Sequence, residues 1–453
     1  MNMHKFSIFL GVAALLAAPN TWAEQDDLLK SAGLYSHEVT TQPAPAPTKP
    51  LFEALEGKLS LDDCVRIALA NSPSAVNAQL GVQEAHINLN LAKAEFLPTV
   101  SAGASQSYNI TKPDGFPTSD YGSSSVQAQA QLSLSAVSDK IRAVKIQNLA
   151  LEQAELSLAG QTNEITRAVK KAYYALLSAK RAVNIRIVSR DLYQDQYERA
   201  SEYFRLGLRP KVDVTTAEVN LNNEKLKLIR AQNLVRTASA ALANVMGVTT
   251  PKVLDIEEVD EFEKFTLSFE EAVQIAYANR PDLRSSQASL KISQIQVNQA
   301  KAGLFPTFSF GAQYGKYGDD FYIKNDDARL TVSVDIPIFS AFKSYNKLKQ
   351  AKVNLEKTQN SSRSLVNDVF LDVQSAYINM QEAQESIPIA ELNVEKAKEN
   401  LDLSRGRYNE GIGDSIELKD AEVAYTDAEL NLLTARYDYA TAVADLKKAM
   451  GTF

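Results

Sequence analysis

The chain has 453 residues, one cysteine, three histidines and a formal net charge of −7. A lone Cys64 excludes an intrachain disulfide framework, and with only scattered histidines it also excludes the Cys/His spacings of zinc sites. The acidic balance argues against a nucleic-acid partner.

Lys5, the apolar run Phe6 to Ala18, Pro19 and the small-x-small site Thr21-Trp22-Ala23 predict a secretory signal peptide over residues 1–23, cut before Glu24. The run is shorter than the ~20 apolar residues of a spanning helix, and no longer one follows. The expectation is an exported chain without a membrane helix. Cys64 lies too far from the cleavage site to carry a lipid anchor. Gln42-Pro-Ala-Pro-Ala-Pro-Thr-Lys-Pro50 has the proline density of an extended segment, so residues 24–58 are expected to form an arm.

The remainder is one unit written twice. Leu59-Ser-Leu-Asp-Asp-Cys-Val-Arg-Ile-Ala-Leu-Ala-Asn-Ser-Pro73 matches Leu267-Ser-Phe-Glu-Glu-Ala-Val-Gln-Ile-Ala-Tyr-Ala-Asn-Arg-Pro281 at 8 of 15 positions, at an offset of 208. The same offset pairs Ala92–Pro98 with Ala300–Pro306, and an offset of 204 pairs Met246-Gly247 with Met450-Gly451. Two structural repeats follow, 59–247 and 267–451, joined by a linker over 248–266. The four extra residues of the first repeat are expected in a loop after Tyr108.

Past the junction Pro98, weak alternation reaches Tyr108, predicting a strand over about 99–110, and Val126 to Leu134 alternate with glutamine and serine over about 126–136. Past the matching junction Pro306, Phe308, Phe310, Ala312 and Tyr314 alternate with small or polar residues over about 307–317. Leu330 to Ile338 do the same over about 329–339. The polar stretch 316–329 between them suits an exposed tip. Each strand has about the 9–11 residues that cross a bilayer when tilted. Phe305, Phe308, Phe310, Tyr314, Phe321, Tyr322, Phe339 and Phe342 gather around this hairpin as in an aromatic girdle. Four strands do not close a barrel, the smallest having ~8; two chains supply eight and three supply twelve, so oligomerisation is required.

Val369, Val373, Ala376, Met380, Ala383, Ile387, Ala390, Val394, Ala397 and Leu401 step by four and three, a heptad seam. Pro388 is expected to bend that helix without ending it. Leu418, Ala421, Tyr425, Ala428, Leu432, Ala435, Tyr439, Ala442, Leu446 and Ala449 form a second seam. Its first-half counterpart runs from Val214 to Val245 with Glu224 as the polar break. Residues 139–204 read as one helix of roughly 65 residues, ~98 Å long. Helices over 74–97 and 211–246, stacked end to end, match it in length. The fold class is mainly α with membrane β: long antiparallel coiled-coil helices and four strands per chain.

Both repeats resemble the TolC family of outer-membrane efflux proteins. The resemblance rests on the paired Ala-Asn-x-Pro segments at 70–73 and 278–281, on Pro98 and Pro306, and on the glycine turns Phe204-Arg-Leu-Gly207-Leu and Tyr408-Asn-Glu-Gly411-Ile. It implies one protomer of a homotrimer in the outer membrane, with a twelve-stranded β-barrel and a periplasmic α-barrel. It further implies docking to a periplasmic adaptor (membrane fusion) protein and an inner-membrane RND, ABC or MFS transporter. By resemblance Asp213 and Tyr408 belong to the periplasmic gate. Gly413 stands where the family pattern has an arginine, and Arg209 is the candidate substitute. The resemblance also assigns Glu417 and Asp420 to an acidic ring at the tunnel entrance. They lie three apart in a first helical turn, where two acids also simply complement the helix dipole. No Gly-rich phosphate loop and no nucleophile–base set occurs, so neither cofactor nor enzymatic activity is expected. A non-pore periplasmic coiled-coil adaptor is the alternative; heptads fit both readings, and the strand hairpins weigh against it.

Overall fold

The structure, a computed structural model, describes residues 57–453 except 112–118, 136, 251, 260–261, 263, 320–324, 340, 411 and 414. The expected signal peptide, nearly all of the expected arm, Phe321, Tyr322 and Gly411 therefore lie outside the described residues.

Each repeat opens with a helix pair, α1 (Leu61–Asn71) and α2 (Pro73–Ala94) in the first, and α5 (Phe269–Asn279) and α6 (Pro281–Ala302) in the second. A capping box starts each pair. The Asp63 amide donates to Ser60 Oγ at 3.1 Å while the Ser60 amide donates to the Asp63 carboxylate, and Ser268 with Glu271 repeats the arrangement. The break inside each pair comes from proline, which lacks an N–H and pushes the preceding residue out of helical geometry. Ser72 (ψ 125°) and Arg280 (ψ 122°) are accordingly extended.

Long helices follow: α3 (Val137–Arg205, 69 residues) and α4 (Lys211–Val245) in the first repeat, α7 (Lys343–Asn409, 67 residues) and α8 (Ser415–Met450) in the second. Every seam position predicted on α4, α7 and α8 is buried or half-buried. The α7 helix runs on through Pro388. On α2 the predicted end at 97 is corrected to Ala94, because the chain turns through Glu95–Leu97 to reach Pro98.

Gly247 and Gly451 explain why Met-Gly recurs. Both adopt left-handed geometry (φ 69° and 72°), closing the last turns of α4 and α8. A Cβ on Gly247 would lie 2.7 Å from the Asn71 carbonyl oxygen, and one on Gly451 would lie 3.0 Å from Arg280 Cα. The end of each heptad helix thus seats on the Asn-x-Pro break of its own repeat, so the two marks shared by the repeats meet in space. Behind the first contact Cys64, Ala68, Val169, Tyr173, Leu242 and Met246 form a core; Ala272, Ala276, Val369, Val373, Leu446 and Met450 form its counterpart.

Described residues of the inter-repeat segment pack on the helices. Leu254 and Ile256 are buried in the first core, Leu59 and Ile256 make a parallel bridge, and the Tyr173 hydroxyl donates to the Glu257 carbonyl at 2.8 Å. Phe262 packs edge-on to Tyr174 and Tyr437, and it touches both cores.

The four strands β1 (Thr99–Thr111), β2 (Ser119–Ser135), β3 (Thr307–Asp319) and β4 (Asn325–Asp335) form one antiparallel sheet in the order β1-β2-β3-β4. Two predicted strands are corrected. β1 runs to Thr111, as expected to within a residue, but β2, expected from about 126, begins at Ser119, so the extra length of the first hairpin lies partly in a longer strand. β4 spans Asn325–Asp335 because Pro337 has no N–H for the ladder and restricts Ile336. Much of 316–329 is strand: ladder hydrogen bonds use backbone groups, and Lys316 pairs with Asp326 across the strands at 3.0 Å.

Directly opposed residues share a face, and apart from the Lys316–Asp326 pair, which stands on the apolar side toward the strand ends, the rows below separate apolar from polar residues. One face carries Val100, Ala130 and Tyr314 in one row, Leu132, Ala312 and Leu330 in the next, and Leu134, Phe310 and Val332 in the third. The other carries Thr99, Gln131, Gln313 and Arg329, with Gln129 and Gln313 hydrogen-bonded at 2.8 Å. By mutual contact the described chain divides into this strand unit (Ala92–Ile141 with Phe305–Phe339) and a helical unit. Each repeat contributes to both.

Gly247→Ala should lower apparent thermal stability in detergent by ~1–3 kcal/mol, since it adds left-handed strain to a backbone clash. Gly81→Ala, in open space within α2, should be neutral or stabilising by up to ~1 kcal/mol. Equal melting temperatures for the two variants would refute the seating contact.

Candidate functional site

Of the residues singled out in the sequence, Gly207, Arg209, Asp213, Tyr408, Glu417 and Asp420 lie at or beside the two helix-tip turns, whereas Pro98 and Pro306 precede β1 and β3. α3 ends in a Schellman turn: the Leu208 amide donates to the Tyr203 carbonyl at 2.9 Å and the Gly207 amide to Phe204 at 3.0 Å. Gly207 supplies the left-handed residue (φ 72°). The chain then passes Pro210 into α4, whose first turn holds Asp213 with the Arg209 guanidinium 3.8 Å away. The two side chains named in the sequence for this turn are therefore neighbours, both partly exposed.

The second turn is built differently. The amides of Ile412 and Gly413 both donate to the Arg407 carbonyl, at 3.0 and 2.9 Å, folding the turn back on the end of α7. A Cβ on Gly413 would lie 3.0 Å from the Tyr408 backbone nitrogen. A side chain at 413 would therefore need this turn to shift by a few tenths of an ångström. Tyr408 packs half-buried against Leu401, Leu418 and Ala421. Glu417 lies 3.6 Å from the Arg407 guanidinium, a pair not foreseen from the sequence, and Asp420 is exposed on the same face of α8.

Behind these exposed groups lie two buried carboxylates. Glu224, 4% exposed, is matched by Lys227 at 2.6 Å and Arg186 at 3.6 Å, and it accepts from the Ser189 hydroxyl at 3.3 Å. Glu422, 1% exposed, receives the Gln196 amide at 2.5 Å on both oxygens. Burial pushes the Glu422 carboxyl up to about 7, against the smaller opposing pulls of Gln196 and Arg405. The buried phenol of Tyr193 is raised by desolvation first and then by the charges of Glu422 and Glu224. Glu224 is the polar break of the predicted seam, whereas Glu422 was missed. The signal for it is a second four-three series on α8, with Glu422, Thr426, Leu433, Tyr437, Ala440 and Ala444 all buried. This series faces α3, as the Tyr174–Tyr437 ring contact and the Gln196–Glu422 bond show.

This duplicated helical unit, with a two-faced four-stranded sheet, defines a class. The chain belongs to the outer membrane efflux protein family, whose model matches residues 64–248 and 272–452. It is similar to the outer membrane protein TolC of Vibrio cholerae, 23% identical over 403 residues that cover 85% of this chain and 89% of the relative. TolC of Escherichia coli is 22% identical over 421 residues, covering 88% of this chain and 84% of the relative. The solved structure of CusC superposes with a TM-score of 0.77 at 18% identity, covering 92% of this chain and 99% of that one. The chain is thus a TolC-like outer membrane efflux protein, not an enzyme, and it works with the other components of an efflux system.

The ion pairs at the tip and in the interior should differ in weight. Asp213→Ala, which removes a solvent-screened pair, should change stability by no more than ~1 kcal/mol. Glu224→Ala strands Arg186 and should cost about 3 kcal/mol or more. Thermal denaturation of the purified variants tests this; similar losses would mean that Glu224 is not an interior ion-pair hub.

Proposed function

We propose that this chain is one protomer of a homotrimer forming a passive exit conduit. Three copies of the sheet close a twelve-stranded barrel in the outer membrane, and the helices line a periplasmic tunnel. The observation that carries this reading is the sheet itself, apolar on one face, lined with glutamine, serine and threonine on the other, and open at both β1 and β4. In hydrocarbon an unpaired ladder edge costs several kcal/mol per group, so such a sheet is stable only when neighbouring copies complete it. The helices support the same assembly. Val212, Val219 and Leu226 on α4, and Leu371, Ile378 and Leu392 on α7, form further apolar rows left exposed in the protomer, suited to helices of adjacent copies.

At the tip, Leu206, Leu208, Val212, Ile412 and Ile416 are exposed apolar residues beside the turns. They offer a docking surface for a periplasmic adaptor, which links the conduit to an inner-membrane RND, ABC or MFS transporter. The conduit has no motor, and the transporter sets the substrate. Asp213, with Arg209, and Tyr408 act in the gate at these turns. Glu417 and Asp420 form an acidic ring once threefold symmetry brings their copies together, attracting cations to the entrance.

Arginine at both Val332 and Val334 on the apolar face should cost ~2–4 kcal/mol per site near the bilayer midplane and prevent trimer assembly; normal assembly in outer-membrane fractions would reverse the assigned facing. In planar bilayers the Glu417→Ala, Asp420→Ala double variant should lose cation selectivity and block by multivalent cations. Wild-type behaviour in that variant would remove the ring from the reading.

A further inference from the structure

A cavity of about 260 Å³ opens between α3, α4 and α8. Tyr193 of α3, Lys419 of α8, and Asn220, Asn223 and Arg230 of α4 all line it. The α4 positions 220, 223, 227 and 230 step by three and four, which puts them on one face of that helix.

The polar groups that meet here lack partners in the chain. Tyr193 is only 3% exposed, yet among the described residues its hydroxyl makes no hydrogen bond. Nor do the side-chain amides of Asn220 and Asn223. Buried polar groups are nearly always bonded to something, so a phenol left over beside a cavity points to what the cavity holds. Burial, and then the charges of Glu422 and Glu224, push the Tyr193 phenol well above its ordinary value, so at neutral pH it is a donor.

Charge gives the sign of the occupant. Among the described residues Glu224 is the one acid that lines the cavity, and it is already matched by Lys227 at 2.6 Å and Arg186 at 3.6 Å. Arg230 and Lys419 have no ion-pair partner among the described residues. Two cations from different helices thus face one space without an acid to balance them. A guanidinium binds a carboxylate through two parallel N–H···O bonds, and an ammonium adds a point charge. Leu226 and Val423 complete the lining with apolar surface, which an inorganic ion would not use and a hydrocarbon body would.

We propose that this cavity is a binding site for a small organic dicarboxylate. Arg230 and Lys419 take the two carboxylates, Tyr193, Asn220 and Asn223 donate to them, and Leu226 and Val423 flank the hydrocarbon part. The site is built within one chain, so it does not rest on the channel reading.

Phthalate, an aromatic dicarboxylate, is a suitable probe. Its calorimetric titration into the purified full-length protein, in non-ionic detergent at neutral pH and low salt, should show one saturable site per chain that weakens as salt rises. Arg230→Gln and Lys419→Gln should each weaken binding at least ~10-fold, because each removes a charge-assisted bond. Tyr193→Phe should weaken it by a smaller factor at an unchanged melting temperature, since that hydroxyl bonds nothing in the free chain. Lys398→Gln, at an exposed position of α7, should bind as the wild type does. A wild-type protein that does not bind phthalate overturns the site, and so does a folded Arg230→Gln, Lys419→Gln double variant that binds it with wild-type affinity. Inorganic phosphate binding as tightly as phthalate would overturn the organic assignment, and dimethyl phthalate doing so would overturn recognition by charge.

Discussion

A peptide group in hydrocarbon finds no water, so every N–H and C=O placed there must find a partner within protein. That constraint governs this chain. Its four strands satisfy one another along three ladders, and the outer edges of β1 and β4 have no ladder partner within the described chain. The apolar and glutamine-lined faces give such a closed sheet an outside and an inside. In the proposed assembly, trimerisation is therefore a condition for the strand unit to exist in a membrane at all.

The helical unit solves a different problem, how to hold very long helices in register without a globular core. Heptad seams supply lateral adhesion, but a seam repeats every seven residues and tolerates slippage. Register is pinned where the last turn of a heptad helix, closed by Gly247 or Gly451, sits on the extended residue ahead of Pro73 or Pro281. The contact is too close for a side chain, which makes it specific. The two copies are not identical. Arg280 bonds Asp282, Asp372 and the Ala449 carbonyl at the second junction, where the first has only Ser72. The segment after Gly247, by contrast, adds Leu254 and Ile256 to the first core.

Toward the tip the composition of the interior changes. The cores near the Asn-x-Pro breaks are mainly apolar, with Ser72, Thr166 and Ser239 buried beside them, while the layer near the turns buries Ser189, Tyr193, Glu224, Ser404, Glu422 and Thr426 next to the small apolar cluster of Leu401, Leu418 and Ala421. Hydrogen-bonded and ionic layers are more sensitive to solvent and protonation than apolar ones, so cooperative opening is easiest there.

Much of this was legible in the sequence because periodicity is a property of one chain. The 208- and 204-residue offsets revealed the duplication, alternation revealed four strands, and four-three steps revealed seams that are buried where expected. Gly207 and the Pro98 and Pro306 junctions were also readable, since glycine alone readily takes a left-handed turn and proline fixes the backbone locally. Pairing between distant segments decided the rest. The strand ends at Ser119 and Asp335 depend on which backbone groups find partners across the sheet, a matter on which polar side chains say little. The close approach at Gly413 exists only once the turn folds back on Tyr408. Glu422 looks in the sequence like a surface acid beside a seam. Its burial arises because α8 packs on two helices at once, and one heptad series predicts only one of those contacts.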